Sequence, residues 1–113
     1  MSRPKIEKCI CNIPKYDEFV TVNGASDKVV MTYEEYETIR MIDYKGLMQE
    51  ECASRMGVSR PTVQLIYTRA RAKMADFLVN GKSLVVEGGN YKVCEAKNNL
   101  CESGHCEKCG GKD

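Results

Sequence analysis

The stretch Gly57-Val58-Ser59-Arg60-Pro61 constrains this chain more than any other, because it ends one helix and begins the next within a few residues. Gly57 can take the left-handed conformation that closes a helix. Ser59 offers a side-chain oxygen to the free N–H groups of a new one. Pro61 falls in that helix's first turn, where its missing N–H costs nothing. Downstream the pattern stays helical to about Val79, and Asn80-Gly81 supplies the stop. Upstream, a short helix fits from Met48 or Gln49 to Met56. Two helices joined by a short glycine-containing turn outline a helix-turn-helix.

The long helix has two different faces. At about 100° per residue, Val63, Ile66, Tyr67, Ala70, Met74 and Phe77 fall on one stripe, expected to be the core face. Opposite lie Pro61, Leu65, Thr68 and Ala72. Arg60, Gln64 and Arg71 edge that outward face on one side, and Thr62, Arg69 and Lys73 on the other. A face that is small or apolar along its middle and basic along both edges suits a helix lying in a DNA groove between two phosphate rows.

Charge is divided along the chain to match. The net formal charge is +1, yet Asp27 to Glu51 carries a balance of −4 and Arg55 to Lys82 a balance of +5. Such a chain can turn a basic face to a polyanion, although solvated helix faces would give the same split. Taken with the turn and the stripe, the expected partner is double-stranded DNA. Residues near the start of the second helix reach base edges in the major groove. Arg60 suits guanine there and Gln64 suits adenine. Ser59 and Pro61 open the same surface, Thr62 and Thr68 can serve phosphate or base, and Leu65 can meet a thymine methyl. Arg69, Arg71 and Lys73 are placed for phosphates, as is Gln49 at the start of the preceding helix. Two half-sites read by a homodimer are a common arrangement for such proteins.

Around this centre the chain reads as helix flanked by short strands. Thr32 with Glu35 forms a capping box, opening a helix to about Asp43 or Tyr44 that buries Tyr36, Ile39 and one or both of Met41 and Ile42. Gly46 ends it. Phe19–Val22 and Lys28–Met31 read as a hairpin about Asn23-Gly24, and Ser83–Glu87 with Tyr91–Cys94 as another about Gly88-Gly89-Asn90. The expected fold is therefore mainly α, with an N-terminal arm at 1–31, a helix-turn-helix domain with its hairpin at 32–94, and a Cys-rich tail at 95–113.

These residues resemble a known family. Met31 to Gly89 is similar to the prokaryotic domain-of-unknown-function family 134, in Arg40 with Asp43, Gly46-Leu47, Gln49-Glu50-Glu51, Met56 through Thr62, Ala70-Arg71 and Glu87-Gly88-Gly89. Arg3-Pro4-Lys5 fits as well. The resemblance implies a DNA-binding fold similar to the fourth region of sigma factors, and a role in transcriptional regulation. The chain departs from the family at Leu65, where a basic residue is usual, and at Cys52, where alanine is typical.

Seven cysteines in a chain without secretory features point to metal or thiol chemistry rather than disulfides. Cys52, beside Ala53, reads as a small core residue. Cys106-Glu107-Lys108-Cys109 is a knuckle whose two thiolates can share a tetrahedral ion, with Cys94, Cys101 and His105 to complete the set, and Cys9 and Cys11 as second choice. Zinc is the expected ion. An iron–sulfur cluster, a redox-active thiol set or a tail with no cofactor are the alternatives. Such a centre would tune DNA binding.

Other classes are disfavoured. No stretch approaches the ~20 apolar residues of a membrane span. The N-terminus lacks a signal peptide's apolar region, so a soluble cytoplasmic protein is expected. The lone histidine lies in the cysteine tail, and no serine elbow, Gly-rich phosphate loop or carboxylate pair is present, so no enzyme is expected. Two readings stand beside DNA binding: an adaptor docking a partner such as RNA polymerase through the acidic first helix, and a small metal carrier with the helices as scaffold.

Overall fold

The computed structural model describes residues 7–23 and 27–93. The capping box forms: the Glu35 N–H donates to Thr32 Oγ1 at 3.2 Å, and the Thr32 N–H donates to Glu35 Oε1 at 3.0 Å. It opens α1, Tyr33–Thr38. The helix then widens into a π-helical turn over Ile39–Tyr44. Where it widens, the Thr38 hydroxyl donates to the Glu35 carbonyl at 2.7 Å, drawing on an acceptor of the helix's own ladder. Gly46, at φ +81°, turns the chain away.

α2 covers Gln49–Met56 and α3 covers Arg60–Asn80. Gly57 takes φ +74°, and the Val58 N–H returns to the Ala53 carbonyl at 3.0 Å. Ser59 Oγ accepts the Thr62 N–H at 3.3 Å, and Gly81, at φ +65°, closes α3. These bounds fall where the caps place them.

The strands do not pair as their turn residues suggest. β1 is Lys8–Ile10, β2 Glu18–Phe19, β3 Lys28–Met31, β4 Ser83–Val86 and β5 Tyr91–Val93. Neither expected hairpin exists among the described residues. β4 lies between β2, antiparallel to it, and β3, parallel to it in the register Lys28↔Ser83 to Met31↔Val86. β5 leaves β4 and pairs in parallel with β1, from Lys8↔Tyr91 to Ile10↔Val93. Burial explains the first pairing. Val29 and Met31 share a face with Leu84 and Val86, and that face packs on Ala70, Met74 and Phe77 of α3 and on Tyr33, Tyr36 and Ile39. Parallel strands need a long crossover, which the helices provide. Close approach explains the second. Gly88 and Gly89, at φ +76° and +110°, pass over the start of α1, where the Tyr33 N–H donates to the Gly88 carbonyl at 3.0 Å. A Cβ on Gly89 would collide with Glu34 Oε1 and lie 2.9 Å from Thr32 Cβ.

Helical segments make up about half of the described residues. A second cluster, Met41, Cys52, Ala53, Met56 and Val63, packs α2 against α3 and the π-helical turn. Because α3 belongs to both clusters through Val63 and Ala70, its inner face is fixed along much of its length. A charge pair on a buried carboxylate adds to this frame. Glu37, 1% exposed, accepts from Arg40 Nε at 3.0 Å and Nη2 at 2.8 Å, and from the Cys11 N–H at 3.2 Å. Burial alone would lower the pKa of Arg40. The bond to Glu37 and its charge outweigh that and keep the guanidinium firmly protonated.

Candidate nucleic-acid interface

With Val63, Ile66 and Ala70 buried, the opposite side of α3 is left to solvent. Pro61, Gln64, Leu65, Thr68, Arg69, Arg71 and Ala72 are all exposed, Leu65 at 52%. Arg60, the first residue of α3, is exposed as well. Among the described residues no side chain pairs with Arg60, Gln64, Thr68 or Arg69. This side of α3 is thus small or apolar along its middle, with Arg60 and Arg69 exposed at its edges and without a side-chain partner among the described residues.

Of the other expected members, Ser59, Thr62 and Lys73 are held in local contacts. Ser59 Oγ caps α3 and lies 2.9 Å from Thr62 Oγ1, so the two hydroxyls serve each other. Gln49 is half-buried, and its Oε1 is buried with no hydrogen-bond partner among the described residues. Lys73 makes a contact that periodicity does not show. Its Nζ sits 2.8 Å from Glu35 Oε1, the carboxylate that also caps α1, so its charge is neutralised in a tie between α3 and α1 rather than displayed on the outward edge.

Arg71 is presented but not free. Its side chain is 61% exposed, and its Nη1 donates to Tyr67 Oη at 2.7 Å. Tyr67 Oη in turn donates to Asp43 Oδ1 at 2.7 Å. Asp43 Oδ1 is 3.7 Å from the guanidinium, and the guanidinium carbon lies 5.5 Å from the Tyr67 ring centre. Desolvation, then the bond to Asp43, raises the phenol's pKa, and Tyr67's bond raises that of Arg71. Both groups stay protonated at neutral pH. Tyr67 reads as a core residue from periodicity. Its ring is half-buried, but its hydroxyl reaches an exposed network with Arg71 and Asp43, partners that the spacing of Tyr67 and Arg71 on one helix face hints at.

Of the cysteines, Cys94, Cys101, Cys106 and Cys109 lie outside the described residues, as does His105. Cys9 is half-buried. Cys11 is buried, and its Sγ accepts from Arg40 Nη2 at 3.2 Å. Among the described residues, no three His, Cys, Asp or Glu side chains come together as a metal-binding group. Cys52 has the core position expected of it, at 0% exposure. Burial pushes its thiol up to about 12, and its Sγ donates to Met56 Sδ at 3.7 Å. Among the described residues, no helix is long and apolar enough to cross a membrane.

Comparison with known proteins places the chain in a family. A family model described as "Protein of unknown function DUF134" matches residues 1–94. A UPF0251 protein of Desulfitobacterium hafniense (strain Y51) is 45% identical over 122 residues, which span 100% of this chain and 97% of the relative. One from Caldicellulosiruptor saccharolyticus is 43% identical over 121 residues, spanning 100% of this chain and 87% of the relative. One from Caldanaerobacter subterraneus subsp. tengcongensis is 61% identical over 96 residues, spanning 82% of this chain and 81% of the relative. No solved structure matches.

Proposed function

This chain belongs to the DUF134 family of proteins of unknown function, and we propose that it binds double-stranded DNA sequence-specifically, as a regulator of transcription. In this reading α2, the Gly57–Ser59 turn and α3 act as a helix-turn-helix, with α3 in the major groove. The observation that carries the proposal is the solvent-facing side of α3. It combines the exposed Arg60 and Arg69 and the presented Arg71 with a centre of Pro61, Leu65, Thr68 and Ala72 that lets a helix seat closely. Arg60 and Gln64, near the start of α3, are the base readers, and Leu65 is suited to a thymine methyl. Arg69 and Arg71 hold phosphates, which give affinity without sequence information. Lys73 has no part in the contact, because Glu35 already holds it.

Cys94, Cys101, Cys106 and Cys109 with His105 are the candidate zinc ligands of the same protein, and elemental analysis after anaerobic purification tests for the ion. DNA binding itself is tested by selecting bound sequences from random duplex DNA. Enrichment of a defined site is expected, with preference at one base pair relaxed in Arg60→Ala. No enrichment would turn the reading to an adaptor that docks a protein partner.

A further inference from the structure

Beyond the contact residues themselves, and resting on the DNA-binding reading, we infer that Asp43 and Tyr67 form a relay that sets Arg71 in position for a backbone phosphate before DNA arrives. The relay has a direction. Asp43 Oδ1 takes the phenol hydrogen at 2.7 Å, which fixes how the hydroxyl points and leaves an oxygen lone pair for Arg71 Nη1, also at 2.7 Å. The ring face adds a cation–π contact at 5.5 Å. Only one of the guanidinium's five N–H donors is used by this bond, so a planar edge remains for a phosphate. Asp43 holds the phenol rather than the arginine: its 3.7 Å distance to the guanidinium is too long for a hydrogen bond. It comes from the end of the π-helical turn, so an element outside α2 and α3 helps to set the binding surface.

The consequence is entropic. A free arginine loses much rotamer freedom when it binds, and one already ordered loses less. Tyr67 is thus a positioning residue, acting through Arg71. Its removal weakens binding without removing a charge.

The test is a double-mutant cycle on a selected duplex, with Tyr67→Phe, Arg71→Gln and the pair together. Tyr67→Phe keeps the ring and is expected to weaken binding by about 2- to 12-fold, the range for ordering one rotamer-rich side chain, while the salt slope stays as in the parent protein. Arg71→Gln should flatten that slope by about 0.9. In the Arg71→Gln background, Tyr67→Phe should have no further effect, which a merely structural role for the hydroxyl would not produce. In the free protein, 15N relaxation of the Arg71 side chain should show it ordered, and mobile in Tyr67→Phe. Additive losses, or an equally ordered Arg71 in both proteins, would overturn the relay. If the parent protein binds no duplex at all, the DNA-binding reading fails first and the relay falls with it, a result recognisable because no variant is involved.

Discussion

The difference between Arg69 and Lys73 is the sharpest quantitative consequence of this structure. Both sit on the same edge of α3 by helical periodicity, one turn apart. Arg69 is exposed and has no side-chain partner among the described residues, whereas Lys73 holds Glu35 Oε1 at 2.8 Å. A cation that neutralises one DNA phosphate contributes about −0.9 to the slope of log K against log salt. Arg71 stays available for one because its carboxylate neighbour Asp43 is exposed and 3.7 Å away, whereas Lys73 is held at 2.8 Å by the buried Glu35. Arg69→Gln should therefore flatten the slope by about 0.9. Over a fourfold rise in salt, from about 50 to 200 mM, the affinity gap between parent and variant should shrink by about 3.5-fold. Arg69→Gln with Arg71→Gln should flatten it by about 1.8, and the gap should then shrink by about 12-fold. Lys73→Gln should leave the slope unchanged. Fluorescence anisotropy of a labelled duplex at several salt concentrations measures all three. A slope flattened equally by Lys73→Gln and Arg69→Gln, or untouched by Arg69→Gln, would refute the assignment of free and paired cations.

Glu37→Ala leaves the partly exposed Arg40 guanidinium with its contact at Cys11 Sγ and takes the acceptor from the buried Cys11 N–H, and should cost about 1–3 kcal/mol in urea unfolding. Gly89→Ala must meet both the positive φ of +110° and the collision with Glu34, and should lower stability by about 1–3 kcal/mol while leaving α3's contacts intact. For Cys52 the folded thiol titrates at about 12 against an ordinary 9.0. The neutral form is favoured by folding, so this stabilisation is full below pH 9 and lost as pH rises toward 12. The loss should reach about 1.4 kcal/mol by pH 10, read as the difference in unfolding free energy between the parent protein and Cys52→Ala across that window.

Helix ends were legible because their causes are local. Ser59 and Thr62 lie within one turn of each other, as do Thr32 and Glu35, and Gly57 and Gly81 need only their own backbone freedom. The sheets were not legible for the opposite reason. Asn23 and Gly88-Gly89 carry ordinary turn chemistry, but β3 meets β4 and β1 meets β5 only after the helices have brought distant segments together. The candidate interface divides in the same way. Periodicity puts Arg60, Gln64, Leu65 and Arg69 on the outer side of α3, where they are exposed. It marks the direction of a Cα–Cβ bond and not the reach of a long side chain. Lys73 thus finds Glu35, 38 residues away in sequence, and the Tyr67 hydroxyl leaves the core stripe for Asp43, 24 residues away.

The central claim is that α3 meets DNA with its outward face, and a titration of 15N-labelled protein with a selected duplex addresses it residue by residue. Amide shifts should move at Arg60, Gln64, Leu65, Thr68, Arg69 and Arg71 and stay still along the β1–β5 pair. Shifts confined to α1 or the strands, with those six positions unmoved at saturation, would contradict the account.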